Sequence, residues 1–298
     1  MEEKQVKLLD FEKNPVEVLT LEELEQTHKE NYPDGTPVGD IYHFVLMQQI
    51  IRMCEEAGLN PEIKEVFAVN NKHKRSPGVT ILPQVSEELG AGSLASHILR
   101  RVFCNINLRG DFTNDQRTYN IAVSYTQLGI CVGFGPFTYA CHNQTICRAD
   151  AIVSNYTVRG FARLESKDRA IASFMESLKR QIASVSDLAI HDNQMVDELK
   201  EKFFSPSQIH RLVGQLCYER VLCESNPNDS IKKGIPPLDS ARINAFVKRL
   251  TDESAYQLGC TGYDMLMAGN EHFKPGIIPF ENIAPQSLAL FEKIHDFA

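Results

Sequence analysis

Between Arg100 and Tyr156 the chain runs almost without interruption in strand-type sequence, and everything after Ser166 changes to helical spacing. That single switch of period constrains the fold more than any other feature. A two-residue period places alternate side chains on opposite faces of a sheet, whereas a 3.6-residue period gathers them into one stripe on a helix. Val102 to Leu108 and Tyr119 to Tyr125 both carry the alternation of a strand with one buried face. The polar connection Gly110 to Arg117 predicts that they form an antiparallel hairpin. Gly129 to Pro136 follows, and its glycines and proline predict a strand with a bulge or tight bend before Phe137 to Ile146.

Upstream, Val66 to Val69 and Val79 to Leu82 read as short strands flanking a basic hairpin-like loop, Asn70 to Gly78. Before them, Ile41, Phe44, Val45, Leu46, Ile50 and Ile51 make a helical stripe that ends at Gly58, a residue suited to the left-handed position after a helix. Downstream, Ile171, Phe174, Met175, Leu178, Ile182 and Val185 form one apolar stripe, so a helix over 166–189 is expected to cover the sheet. A second helix is expected over about Asn193 to Phe204. Ser205, Pro206 and Gln208 then supply an N-cap, a proline at the first helical position and the third-position partner of a capping box. Asp239 and Ser240 open a further helix, and weaker ones are expected near Ala255–Met267 and Pro285–Ile294.

The fold class that follows is α+β: a largely antiparallel sheet covered by a long amphipathic helix, with a C-terminal helical subdomain. The expected division is residues 1–58 as an acidic lead plus docked helix, 59–190 as the α+β core and 191–298 as the helical subdomain. With 298 residues, 43% of them hydrophobic, the chain can bury a large core. No run of 18 apolar residues occurs, and the opening MEEKQVKLLDFEKN lacks the basic start and apolar core of a signal peptide, so no membrane partner and a cytoplasmic location are expected. The eight cysteines are scattered through apolar segments with no C-x-x-C pair, the pattern of buried free thiols.

Charge is distributed unevenly. Residues 1–56 hold 5 Lys/Arg against 13 Asp/Glu, residues 57–180 hold 15 against 10, and residues 181–298 hold 11 against 16. A basic middle between acidic flanks is compatible with phosphate binding if the cations converge in space.

No catalytic residue, cofactor or metal set stands out. Cys141 and His142 are neighbours, and on a strand neighbours face opposite ways, so this histidine cannot take a proton from this thiol. His97 and His210 read as partly buried helix residues. Gly129, Gly133 and Gly135 lack a following Gly-Lys-Ser and lead into a strand, which is wrong for a phosphate cradle. Asp111 and Asp115 lie in a turn with no third ligand visible, which leaves a metal-dependent nuclease as a remote alternative.

Three stretches carry a resemblance. GICVGFGPFTYACHNQTIC (129–147), the run Pro236, Pro237, Leu238, Asp239, Ser240 with Ile243 and Asn244, and Tyr263 to Met267 resemble segments of phage/plasmid-like proteins of unknown function and their Bacteroidetes mobile-element relatives, over roughly residues 60–297. Asp264 stands where those proteins carry Asn, and Ala268 stands near their usual Thr. The resemblance implies an α+β protein of a mobile genetic element and lends no catalytic residue.

Two classes of non-enzymatic function remain. In the first, Lys72, Lys74, Arg75, Arg100, Arg101, Arg109 and Arg117 contact the phosphates of a single-stranded nucleic acid while Tyr119, Tyr125 or Tyr139 stack on its bases. In the second, the chain engages a protein, as an oligomer or as an inhibitor of a host defence factor, with the acidic lead Glu2 to Glu30 as a charged partner-binding or DNA-mimicking segment.

Overall fold

The computed structural model describes residues 16–18, 20–31, 43–69, 102–126, 129–139, 143–156, 164–225, 238, 240–270 and 280–297. The basic loop Asn70–Gly78, the strand expected at Val79–Leu82, His97, Arg100, Arg101, and the Cys141-His142 pair lie outside the described residues. Nine strands and nine α-helices can be followed among those described. In chain order they are β1 (Val16–Val18), α1 (Leu21–Asn31), α2 (His43–Glu56), β2 (Asn60–Val69), β3 (Val102–Arg109), β4 (Arg117–Thr126), β5 (Gly129–Thr138), β6 (Asn143–Gln144) and β7 (Ile152–Tyr156). There follow α3 (Leu164–Ala183), α4 (Val185–Glu201), β8 (Phe203–Phe204), α5 (Pro206–Ser225), α6 (Ser240–Asp252), α7 (Ala255–Leu258), β9 (Cys260–Thr261), α8 (Gly262–Asn270) and α9 (Phe280–His295).

The fold is α+β. Strands β1 to β6 lie side by side in sequence order in a largely antiparallel sheet, and β7 joins it against β5. β1, missed in the acidic lead, pairs antiparallel with β2 so that Val16 meets Val69 and Val18 meets Phe67. The expected hairpin of β3 and β4 is present, since the two are neighbours. Its turn is built by side chains. Asn114 Oδ1 accepts the amides of Gln116 at 2.9 Å and Arg117 at 2.8 Å, and Gly110 N donates to Thr113 Oγ1 at 3.1 Å.

Burial corrects one expectation. Val102 to Leu108 and Arg117 to Tyr125 are buried at every position, not at alternate ones. Asn105, Asn107, Asn120 and Ser124 are therefore inside the protein with the aliphatic residues, as small neutral groups that can be hydrogen-bonded there. A second correction concerns Phe137 to Ile146, where the chain reverses after Thr138. Asn143 and Gln144 return antiparallel, opposite Thr138 and Phe137.

By its contacts the chain forms two compact units, residues 1–107, 122–132 and 154–182 in one, and 108–121, 133–153 and 183–298 in the other. The division crosses the strands.

In the first unit, α2 packs on β2 and α1 on α2. Leu21 and Leu24 of α1 are buried, and Thr20 and Glu23 cap that helix reciprocally. Leu21 and Leu24 thus dock α1 into the core. α2 closes as its sequence predicts: Gly58 has φ +74°, and the amide of Leu59 donates to the carbonyl of Cys54 at 2.9 Å. Phe174, Leu178 and Ile182 bury one face of α3.

The second unit holds the helical core. The helix expected over 166–189 and the one expected from Asn193 meet at Ser184, which interrupts them with φ −99° and ψ 2°. α8 packs on α9, α4 and α6, and α5 packs on α6 and α7. Phe246, Leu250, Leu266, Leu290 and Phe291 are fully or almost fully buried there, each stabilising the fold by about 1.5–3 kcal/mol. α8 and α9 approach closely because position 269 is glycine; a Cβ on it would lie 2.2 Å from Leu290 Cδ2. The capping box at Ser205 is present, with the Ser205 amide donating to Gln208 Oε1 at 3.0 Å.

Candidate functional site

A dense polar cluster lies in the second unit, where α4 meets the start of β4 and the segment after β6. The sequence of α4 sets it up. Its buried stripe runs Val185, Ala189, Asp192, Val196, Leu199, so an aspartate occupies one core position of an otherwise apolar helix face. An isolated buried carboxylate is too costly to survive, so such a group must find cations and donors.

Asp192 finds three. Tyr119 Oη donates to its Oδ2 at 2.7 Å, Arg148 Nε donates to Oδ1 at 2.7 Å, and Arg148 Nη2 reaches Oδ2 at 3.5 Å. Arg148 also donates to Asp150, which lies on the exposed side. His191 Nδ1 stands 3.7 Å from Asp192 Oδ1 at the surface. One turn along α4, Arg117 Nη2 donates to Asp197, Lys200 Nζ lies 2.8 Å from the same carboxylate oxygen, and Arg117 Nη1 donates to the carbonyl of Asn193 at 3.4 Å. Asn193 Nδ2 in turn donates to the carbonyl of Phe112 in the β3–β4 turn at 3.3 Å.

The electrostatics follow from this packing. Burial raises the pKa of Tyr119, and the charge of Asp192 and the hydrogen bond to it add to the shift, so the phenol is held as a neutral donor. Burial also pushes up the Cys147 thiol, again helped by Asp192. For Arg148 burial works against the charged form, but the hydrogen bond and charge of Asp192 outweigh it and raise its pKa. Partial burial likewise works against the Asp197 carboxylate, and the hydrogen bond from Lys200 and the charge of Arg117 overcome it, so its pKa falls below the ordinary value. A protonated phenol and a protonated thiol offer no nucleophile near neutral pH. The cluster ties α4 to β4 and to Arg148, and its charges are matched internally.

The residues expected to bind nucleic acid fare differently from one another. Lys72, Lys74, Arg75, Arg100 and Arg101 lie outside the described residues. Arg117, expected at phosphates, is only 2% exposed and pairs with Asp197; Tyr119, expected under a base, is fully buried and bonded to Asp192. Tyr125 is buried as well. Arg109 is exposed at the end of β3, and Tyr139 is half-buried, edge-on to Phe137 with ring centres 6.4 Å apart. The structure therefore brings Arg117 and Tyr119 together, but around aspartates inside the second unit. Asp111 and Asp115 are exposed in the β3–β4 turn, and no group of three or more His, Cys, Asp or Glu able to hold a metal occurs among the described residues.

A second polar seam lies at the return of the chain after β5. Gln144 Nε2 donates to the carbonyls of Asn120 at 3.0 Å and Gly133 at 2.9 Å. Asn270 Nδ2 donates to Thr145 Oγ1 at 3.0 Å, and the Ile146 amide reaches Ser287 Oγ at 3.4 Å. Asp264, one of the positions in the Tyr263–Met267 element, accepts from the amide of Thr261 at 3.0 Å while its own amide donates to Thr261 Oγ1 at 3.1 Å, which caps α8.

The apolar surface is uneven too. Tyr218, Val221 and Leu222 are exposed at i, i+3 and i+4 on α5, and Cys217 is exposed beside them. Phe203 and Leu258 are exposed near the β8–β9 pair. Among the described residues no helix is long and apolar enough to cross a membrane. No family model, curated protein or solved structure matches this chain.

Proposed function

We propose that this chain is a non-catalytic binding protein of a mobile genetic element, and that its ligand is a protein engaged through the exposed face of α5. The observation that carries the reading is the run of Tyr218, Val221 and Leu222, three large apolar side chains exposed on one side of a helix whose other side is core. Contiguous apolar surface of this kind is what partner-binding helices present. The buried polar cluster supports it from the other direction, because its charged groups are matched by one another. The mobile-element assignment rests on the resemblance of residues 129–147, 236–244 and 263–267.

The test is crosslinking in a host cell with the full chain, compared with a Val221→Lys, Leu222→Lys variant of equal thermal stability, followed by titration of the identified partner in pure form. A partner lost by the variant in both assays is the expected result. A partner retained equally by the variant overturns the role of α5.

One observation favours single-stranded nucleic acid as a second reading. Lys200 Nζ lies 5.3 Å from the centre of the Tyr263 ring and bonds Gln116 Oε1 at 3.4 Å, while the Gln116 carbonyl accepts the amide of Tyr139 at 3.0 Å. A cation over a tyrosine ring is part of the mixture that stacking platforms use. Binding of a labelled single strand that weakens steeply with salt, and that Lys200→Gln flattens, would establish it over the protein-partner reading.

A further inference from the structure

We draw no further inference here: the strongest candidate, the exposed Tyr218, Val221 and Leu222 face of α5, belongs to the surface already described, and nothing in the structure shows what covers it.

Discussion

Replacing Arg148 should damage the protein more than replacing Asp192, although each change breaks the same ion pair. Asp192 is fully buried, whereas the Arg148 side chain is 15% exposed and holds a second carboxylate, Asp150. Arg148→Met leaves the Asp192 charge inside the protein with only the Tyr119 hydroxyl and the more distant His191 ring. That outcome belongs near the top of the range for half-broken buried pairs, about 5 kcal/mol. Asp192→Asn leaves Arg148 with Asp150 and a path to water, and an amide oxygen still accepts from Tyr119, so the cost falls near the bottom, about 3 kcal/mol. The double variant buries no charge and should cost about 2 kcal/mol less than the sum of the singles. The chain has no Trp, so its intrinsic fluorescence is a weak reporter of this change. Amide hydrogen exchange resolved to peptides of α4 reads the loss locally. Arg148→Met costing no more than Asp192→Asn, or strict additivity in the double variant, would refute the argument that the aspartate is the stranded partner.

Alkali should loosen the same region. Because the folded-state pKa of Tyr119 is raised, its contribution is complete below the unfolded value of about 10 and is lost as pH rises above it; Tyr119→Phe should flatten the fall in α4 protection above about pH 10. Gly135→Ala should be among the most damaging single-methyl changes, since the new Cβ would lie 1.9 Å from the Thr145 carbonyl oxygen; a loss of about 3 kcal/mol is expected by denaturant titration, and a neutral result would mean that β6 does not sit against β5 as described. Thiol labelling at neutral pH, mapped by mass spectrometry, should mark the exposed Cys217 before the other cysteines among the described residues. Cys104 should stay unlabelled until denaturant is added, because it is buried and its pKa is pushed up to about 12.

What the sequence reveals depends on whether a signal is local. The Ser205–Gln208 box and the Gly58 stop are each written within a few residues, and each is found where its residues predict, whereas the stripe expected from Ile171 to Val185 is broken at Ser184, which puts Val185 on α4. β1 was not legible, because Val16, Glu17 and Val18 alone say nothing until β2 supplies a partner 50 residues away. The double-sided burial of β3 and β4 had a sign that the alternation concealed: within Val102–Leu108 and Tyr119–Tyr125 the polar positions are Asn105, Asn107, Asn120 and Ser124, with no charged residue among them, and solvated faces usually carry long charged side chains. Arg117 and Tyr119 show the limit most clearly. A cation and a phenol two apart on a strand do share a face, but only the fold tells whether that face meets water or an aspartate. The aspartate had its own signal, an acid at a stripe position of α4, between Ala189 and Val196.

That acid also fixes where the helix must stop sliding. An amphipathic helix with an all-aliphatic stripe can shift by one turn, about 5.4 Å, and still bury similar surface, so hydrophobic packing alone indexes it poorly. In α4 such a slip would set Ala189 or Val196 opposite Arg148 and Tyr119 and leave a guanidinium and a phenol facing hydrocarbon. Asp192 thus works as a key with a single matching slot, and competing alignments of this helix are rejected by the penalty of unmatched polarity.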